Sequence, residues 1–257
     1  MGRMLRISVA VCFTLALAAC ARAPLANPGA SSPAGSPTGA STASAPASAT
    51  QSATAPTAST TSSVRPTATG TSTTCNYRVT GGAAKRVDPP QNEDVPATGS
   101  VTFTLKLTVG SVVITMDRAK APCAVNSFES LASQGFFDNT PCHRLADRGF
   151  FLLQCGDPTG KGQGGPGYVF DDEVRSTDTY QAGTVAMATT QANSNGSQFF
   201  MVYSDSPLPA KYTILGHMDE ASRQVIAGVA QQGEDGAYKD GSGHPIQPVD
   251  ITSVVAG

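Results

Sequence analysis

Apolar and polar residues alternate along much of the chain after Val101, which is the pattern of half-buried β-strands. The stretch VTFTLKLTV, Val101 to Val109, is followed by Gly110 and SVVITMD and predicts a hairpin. Further short apolar runs separated by turn residues predict strands at TPCHRL, FFLLQCGD, GTVAMAT, SNGSQFFMVY, YTILGHM and VDITSVV. The pattern therefore predicts a mainly β domain with eight strands.

Two segments have helical spacing instead. Pro122 stands at the start of one predicted helix and Gly135 at its end, with apolar residues at helical spacing between them. A second helix is predicted from about Asp219 to Gln232. Eight strands, short turns and two helices together predict an antiparallel closed β-barrel capped by the helices.

Phe199 and Phe200 lie side by side in the predicted strand SNGSQFFMVY, so their side chains point to opposite faces. If one ring fills the core, the other lies on the outer face together with Gln198. A strand buried on both faces, an interface and a pocket for an apolar ligand all agree with this stretch alone.

The composition divides the chain at Cys75. Residues 1–74 contain no Asp or Glu, whereas all 19 acidic residues and 13 of the 17 Lys and Arg residues lie from Cys75 onward. The C-terminal part therefore has a net charge of −6 with His neutral. Binding to a phosphate backbone needs a basic stripe, and none is visible, so we expect no nucleic-acid partner.

Residues 1–20 have the form of an export signal. Arg3 and Arg6 precede a thirteen-residue apolar run, Ile7 to Ala19, which is too short to span a bilayer comfortably. The run ends in Leu-Ala-Ala-Cys, which resembles the bacterial lipobox, whose cysteine is lipidated after cleavage. We expect a lipid on Cys20 that anchors the protein to the extracytoplasmic face of the cell membrane. Ordinary cleavage near this point and an uncleaved anchor are the alternatives.

Residues 21–74 consist largely of Ala, Ser, Thr, Pro and Gly. Such a segment cannot bury enough apolar surface to offset the entropy of ordering, so it is predicted to be a disordered linker. As a random coil it would span about 40 Å and hold a domain away from the membrane surface. A short segment, residues 75–100, precedes the predicted domain at residues 101–257.

The part of the chain after the linker contains four cysteines: Cys75, Cys123, Cys142 and Cys155. An even number in an exported domain predicts two disulfides, with buried thiols as the alternative. No CxxC pair is present, so no metal site is expected.

Strand parity narrows the pairing of these cysteines. Cys142 lies two residues before Arg144, and Cys155 lies one residue after Gln154. If Arg144 and Gln154 share a face of one hairpin, Cys142 and Cys155 lie on opposite faces. We therefore expect each of them to pair with one of the two upstream cysteines.

Conventional catalytic sets are missing from the sequence. It has three His and no HExxH or GxSxG motif, and His143 is expected to be a hydrogen-bonded core residue. The Gly-rich stretch at residues 157–173 lacks a GK[ST] ending and is expected to be an irregular surface loop. The remaining signal is an arginine, Arg144, with aromatic and amide residues nearby. That combination suits a peptide backbone that carries an apolar side chain.

Three motifs in order, CHRLADRGFFLLQCGDPTGKGQGGPGY, AMATTQANSNGSQFFM and PLPAKYTILG, resemble the cyclophilin-type peptidyl-prolyl cis-trans isomerases. The similarity extends over roughly Val101 to Val255. It implies the eight-stranded barrel capped by two helices, isomerisation of X-Pro bonds in polypeptides, and no cofactor. By motif, Arg144 is the implied catalytic residue. The implied substrate-binding residues are Phe151, Leu152, Gln154, Ala188, Thr189, Gln198, Phe200, Leu208 and Tyr212.

The resemblance also assigns roles to the adjacent phenylalanines and exposes departures from the family pattern. Phe200 would form the floor of a proline pocket, and Phe199 would pack inside the barrel. Thr189 and Tyr212 replace the family's Asn and His, and the chain has no Trp. These changes weaken the expectation of cyclosporin binding more than that of catalysis.

Two functions follow from the resemblance. One is an isomerase that assists the folding of exported proteins at the cell surface. The other is a module that binds proline-containing polypeptides, or acts as a chaperone, with little or no turnover. The presence of Arg144 favours catalysis, because binding alone would tolerate its loss.

Overall fold

The computed structural model describes residues 71–257. The predicted signal segment, Cys20 and nearly all of the predicted linker lie outside these residues. Within them, Ser72–Thr73 (β1) pairs with Val95–Pro96 (β3), so the last residues assigned to the linker belong to the folded part.

Nine strands form one antiparallel sheet, and the remaining four make two small pairs. The pairs are β1 with β3, and Arg78–Val79 (β2) with Tyr168–Val169 (β9). The nine strands are Ser100–Leu107 (β4), Gly110–Asp117 (β5), Thr140–Pro141 (β6), Arg144–Arg148 (β7), Phe150–Cys155 (β8), Thr184–Met187 (β10), Phe199–Val202 (β11), Ile214–Met218 (β12) and Asp250–Ala256 (β13). Their order in the sheet is β6-β13-β4-β5-β12-β10-β11-β8-β7.

The prediction of a closed eight-stranded barrel is wrong, because the sheet has nine strands and stays open at β6 and β7. These end strands are separated along the chain by only Cys142 and His143, so the sheet curls until its two ends approach each other. The chain does not continue one strand through this corner. The Cys142 N–H donates to the carbonyl of Val249, 2.8 Å away, beside β13. The run TPCHRL therefore splits into two strands.

Both predicted helices are present, at Pro122–Ser133 (α1) and Glu220–Ala230 (α2). Asp219 caps α2, since its carboxylate accepts the N–H of Ser222 at 2.7 Å. Within residues 71–257, no helix has the length and apolar character needed to cross a membrane.

Strand alternation sorts the apolar side chains into two clusters. The larger cluster contains Phe199 and Leu153 and packs against α1. The smaller cluster contains Phe200 and Leu152, which come from the same two strands but point the other way. The prediction that the two phenylalanine rings occupy opposite faces is confirmed.

Two disulfides are present, as expected, but their pairing differs from the prediction. Cys75 bonds to Cys123, and Cys142 bonds to Cys155. The predicted pairing is wrong because β7 begins only at Arg144, so Cys142 is not part of the strand and strand parity does not apply to it. Its side chain is buried in the larger cluster together with Cys155.

The N-terminus of α1 is capped by a residue that is distant in sequence. Its own N-cap residue, Ala121, has no side chain that can accept a hydrogen bond. The half-buried Glu173 carboxylate accepts the N–H of Cys123 at 3.0 Å and that of Ala124 at 2.9 Å instead. Burial raises the pKa of Glu173 even though both hydrogen bonds favour the ionised form. The carboxylate supplies acceptors for two N–H groups that the first helical turn leaves unpaired.

We expect Glu173→Ala to lower the free energy of unfolding by about 1–3 kcal/mol, because two partly buried N–H groups at the start of α1 lose a charged acceptor. Urea denaturation at neutral pH measures the change. Glu93→Ala, at an exposed position before the sheet, is the matched control and should leave stability unchanged. Equal stability of the two variants would contradict the assigned capping role.

Candidate active site

A groove of about 890 Å³ lies on the face of the sheet that carries Phe200. One part of its lining is apolar and comes from Leu152, Phe200, Leu208 and Tyr212. A second part consists of polar and glycine residues. The volume of the whole groove falls in the upper part of the range of about 300–1,000 Å³ that is typical of ligand sites.

The structure brings most of the predicted site residues together. Arg144 lines the groove with eight of the nine predicted substrate-binding residues. These eight are Leu152, Gln154, Ala188, Thr189, Gln198, Phe200, Leu208 and Tyr212.

Phe151 is the exception, and Phe150 lines the groove in its place. Side chains alternate along β8, so the residue that shares a face with Leu152 and Gln154 is Phe150. The Phe151 ring packs against the larger cluster, and its centroid lies 5.9 Å from that of Tyr203. Strand parity alone would have predicted that Phe150 lines the groove.

A chain of side-chain hydrogen bonds crosses the groove. Arg144 lies directly opposite Gln154 in the β7–β8 pair, and its Nη1 donates to Gln154 Oε1 at 3.0 Å. Gln154 Nε2 donates to Gln198 Oε1 at 2.8 Å, and Gln198 Nε2 donates to the carbonyl of Gly164 at 2.9 Å. Each amide is therefore held in one orientation.

Two residues from the loop before β13 also hold Arg144. Its Nε donates to Ser242 Oγ at 2.8 Å, and its Nη2 forms an ion pair with Asp240 at 2.6 Å. Burial alone would raise the pKa of Asp240, but hydrogen bonds from Ser242 and the nearby Arg144 charge outweigh burial and lower it. Neither residue was predicted, because nearly a hundred residues separate them from Arg144 and no local pattern connects them.

The Arg144 guanidinium keeps free hydrogen-bonding capacity. It has five N–H groups. Among residues 71–257, it spends one each on Gln154, Ser242 and Asp240. One N–H on each terminal nitrogen is left to donate to a group bound in the groove.

Aromatic rings pack against one another in the apolar part of the groove. The Phe200 and Tyr212 rings meet edge to face with centroids 5.4 Å apart. The buried Tyr180 hydroxyl donates to the Tyr212 carbonyl at 2.9 Å and accepts the Tyr212 N–H at 2.8 Å. Tyr180, which was not predicted to belong to the site, thus holds the Tyr212 backbone in place behind the apolar wall.

Asp157 organises the glycine-rich loop that lines the polar part. This buried carboxylate accepts hydrogen bonds from the Thr159 N–H and hydroxyl and from the N–H groups of Gln163 and Gly164. Burial disfavours its ionised form, but these hydrogen bonds together outweigh burial and lower the pKa of Asp157. The prediction of an irregular surface loop is confirmed only in part, because Tyr168–Val169 form β9 and Tyr168 and Phe170 are buried. The stretch also forms a groove wall, which was not predicted.

His143 is buried beside Arg144, but the predicted hydrogen bond is missing. Neither ring nitrogen has a partner among residues 71–257. Burial lowers the pKa of His143, which favours the neutral ring. In the same part of the chain, no group of three or more His, Cys, Asp or Glu side chains is placed to hold a metal ion.

We expect Asp157→Asn to destabilise the domain at neutral pH by about 1–3 kcal/mol and to flatten its acid sensitivity. A depressed carboxylate pKa contributes stability above the unfolded value of about 3.9, and this contribution is lost as pH falls through the folded value. Urea denaturation at several pH values from neutral to acid measures the effect. The exposed Asp88→Asn is the control and should behave like the wild type. An unchanged acid slope in Asp157→Asn would contradict the assignment.

Comparison with known proteins agrees with this geometry. Residues 101–256 match the family model described as cyclophilin type peptidyl-prolyl cis-trans isomerase/CLD. The protein named "Probable peptidyl-prolyl cis-trans isomerase B" from Mycobacterium leprae is 40% identical over 189 residues, which is 66% of this chain and 64% of that protein. Its namesake from Mycobacterium tuberculosis is 41% identical over 188 residues, which is 67% of this chain and 60% of that protein. The chain thus spans less than two thirds of the length of these relatives.

A solved structure shares the fold. The cyclophilin type peptidyl-prolyl cis-trans isomerase of Cryptosporidium parvum, crystallised in the presence of the dipeptide Ala-Pro, aligns with a TM-score of 0.53 and 30% identity. The alignment covers 61% of this chain and 98% of that structure. Since the family model matches residues 101–256, more than half of the sequence, the chain belongs to the family of cyclophilin-type peptidyl-prolyl cis-trans isomerases.

Proposed function

We propose that the domain catalyses cis–trans isomerisation of X-Pro bonds in polypeptides. The observation that carries this proposal is the position of the Arg144 guanidinium, which has unused N–H groups and lines the same groove as the apolar wall of Phe200, Leu208 and Tyr212. The names of the relatives and the Ala-Pro dipeptide present with the Cryptosporidium parvum protein support it.

Rotation about an X-Pro bond meets a barrier of about 18–20 kcal/mol because it breaks amide resonance. In the twisted state, electron density returns to the prolyl nitrogen. A guanidinium that donates to this nitrogen, or that holds the adjacent carbonyl, stabilises the twisted state more than either planar state. Arg144 can do this without a change of protonation, so neither a nucleophile nor a proton transfer is needed.

The groove would hold the proline ring of the substrate in place and leave the acyl side free to rotate. The proline ring would lie against Phe200 and Leu208, with Leu152 and Tyr212 beside it. Gln154, Gln198 and the backbone of Ala188 and Thr189 would bind the chain next to the proline. If the proline ring is held in place while the acyl side of the substrate turns, rotation occurs about the X-Pro bond, next to which Arg144 would lie.

We expect Arg144→Ala to lower kcat/KM at least about tenfold, which corresponds to about 1.4 kcal/mol of transition-state stabilisation. A proline-isomerisation assay on the purified chain measures this change. Arg148→Ala is the control, because Arg148 lies on the same strand but its side chain is 78% exposed. It should keep the wild-type rate.

The same assay separates catalysis from the alternative of a binding module. Equal rates for Arg144→Ala and wild type would overturn the mechanism. If a proline peptide still bound in the groove without being isomerised faster, the domain would be a proline-peptide binding module with little or no turnover.

We also propose that the protein is exported, is anchored by a lipid on Cys20 and assists the folding of exported proteins at the cell surface. Support comes from the Leu-Ala-Ala-Cys motif, the apolar run before it and the two disulfides of the domain, since disulfides persist in oxidising compartments. Slow proline isomerisation limits the folding of many chains, which gives an isomerase a role there.

We expect Cys20→Ser to move the protein from the membrane fraction to the soluble extracytoplasmic fraction, because the residue that would carry the lipid is lost. Cell fractionation followed by immunoblotting measures the distribution, and Cys12→Ser is the control. If Cys20→Ser still pelleted with membranes, a lipid anchor at Cys20 would be ruled out.

A further inference from the structure

A segment in front of the family-matched residues contributes to the groove. We name Cys75 to Lys85 the strap. It lies before residue 101, where the family match begins, yet Thr80, Gly81 and Gly82 line the groove. The strap therefore lies outside the family match and still contributes to the groove.

The strap is firmly attached near the start and the end of α1. Its first residue is joined to Cys123 by a disulfide, and the Tyr77 hydroxyl donates to the carbonyl of the same Cys123 at 2.8 Å. At its other end, the Lys85 ammonium donates to the carbonyls of Gly135 and Asp138. A segment attached at both ends can serve as a wall.

Backbone hydrogen bonds align the strap along the glycine-rich loop. The N–H groups of Thr80 and Gly81 donate to the Gly167 carbonyl at 2.8 and 3.1 Å, and the Ala84 N–H donates to the Gly165 carbonyl at 2.8 Å. Gly81 and Gly82 have φ values of 75° and 68°, which glycine adopts without steric cost. The strap therefore turns at the groove and presents exposed backbone there instead of side chains.

Arg78 connects the strap to another groove loop. Its guanidinium forms an ion pair with Asp171 at 2.6 Å and donates to the Asn193 carbonyl at 2.5 Å. Asn193 belongs to the 189–196 loop, which supplies Thr189 and Gln191 to the lining. The strap thus holds two groove walls in a fixed relation.

This polar part of the groove has a distinct chemistry. Its lining includes no charged side chain among the described residues and consists of glycines with uncharged polar and a few apolar residues. They are Thr80, Gly81, Gly82, Gly162 to Val169, Thr189 to Gln191, Ser194, Gly196 and Ser197. The charged groups of the groove, Arg144, Lys211 and Asp240, lie outside this set. Uncharged walls with accessible backbone suit an extended, uncharged peptide segment.

We propose that the strap extends the groove for substrate residues that flank the proline, and that it is a specificity-determining element which selects extended, uncharged segments. This inference rests on the proposed function, because the same groove binds the substrate. Its physical basis is that a groove of about 890 Å³ has more room than a proline ring fills.

The experiment compares a short blocked Ala-Pro substrate with peptides that extend it by four uncharged residues on one side or the other. The test variant is Thr80→Trp, which adds bulk to an exposed lining position. Val79→Trp is the matched control, since Val79 is 73% exposed but does not line the groove. Initial rates from NMR exchange give kcat and KM separately.

We expect at least one extended peptide to show a kcat/KM about fivefold or more above that of the short peptide, and Thr80→Trp to remove this advantage through KM. The short peptide should change less than about twofold in either variant. Unchanged rates for the extended peptides in Thr80→Trp would overturn the proposed role of the strap. An equal loss on short and extended peptides would overturn it as well, because the strap would then act on the reaction itself.

A binding measurement on the wild-type chain keeps this test separate from the proposed function and from any folding defect. In a titration followed by NMR, the amide signals of Thr80, Gly81 and Gly82 should shift with an extended peptide and not with the short one. Absence of that shift overturns the proposed role of the strap, whether or not the chain isomerises proline. Absence of turnover on every peptide, with the shift present, overturns the proposed function alone.

Discussion

The hydrogen-bond chain from Arg144 through Gln154 to Gln198 is the interaction on which the site depends. It exists only because β7, β8 and β11 pair in one register, with Arg144 opposite Gln154 and Gln154 opposite Phe200. A slip of one residue would turn every side chain to the other face. It would send Arg144 into the core and break the contact with both glutamines.

The core enforces that register from the other side of the same strands. Leu145 and Leu153 are directly opposite each other and fully buried, and Phe199 packs against α1. The Cys142–Cys155 disulfide joins the chain just before Arg144 to the residue just after Gln154. Core packing and the disulfide thus fix the positions of Arg144 and Gln154, which hydrogen-bond to each other in the groove. Asp240 and Ser242, in the loop before β13, then bind the two guanidinium nitrogens that Gln154 does not contact.

Alternation and motif order were enough to predict what depends on local pattern. The opposite faces of Phe199 and Phe200 and both helices follow from it. Phe151 was assigned to the site by matching the family motif residue by residue, whereas strand parity places Phe150 on the face that lines the groove. The disulfide error came from extending parity through Cys142, which lies outside β7. Asp240 and the strap depend on contacts between distant parts of the chain, so no local pattern predicts them.

The central claim is that the proline ring lies in the apolar part of the groove while Arg144 acts on the bond before it. Isotope-filtered NMR on a complex with a proline-containing peptide tests this claim most directly. The predicted result is a set of NOEs from the proline ring protons to Phe200, Leu208 and Tyr212, with exchange peaks between the cis and trans signals of the peptide. Exchange peaks without any of these contacts, or with NOEs that place the ring on another surface, would contradict the claim.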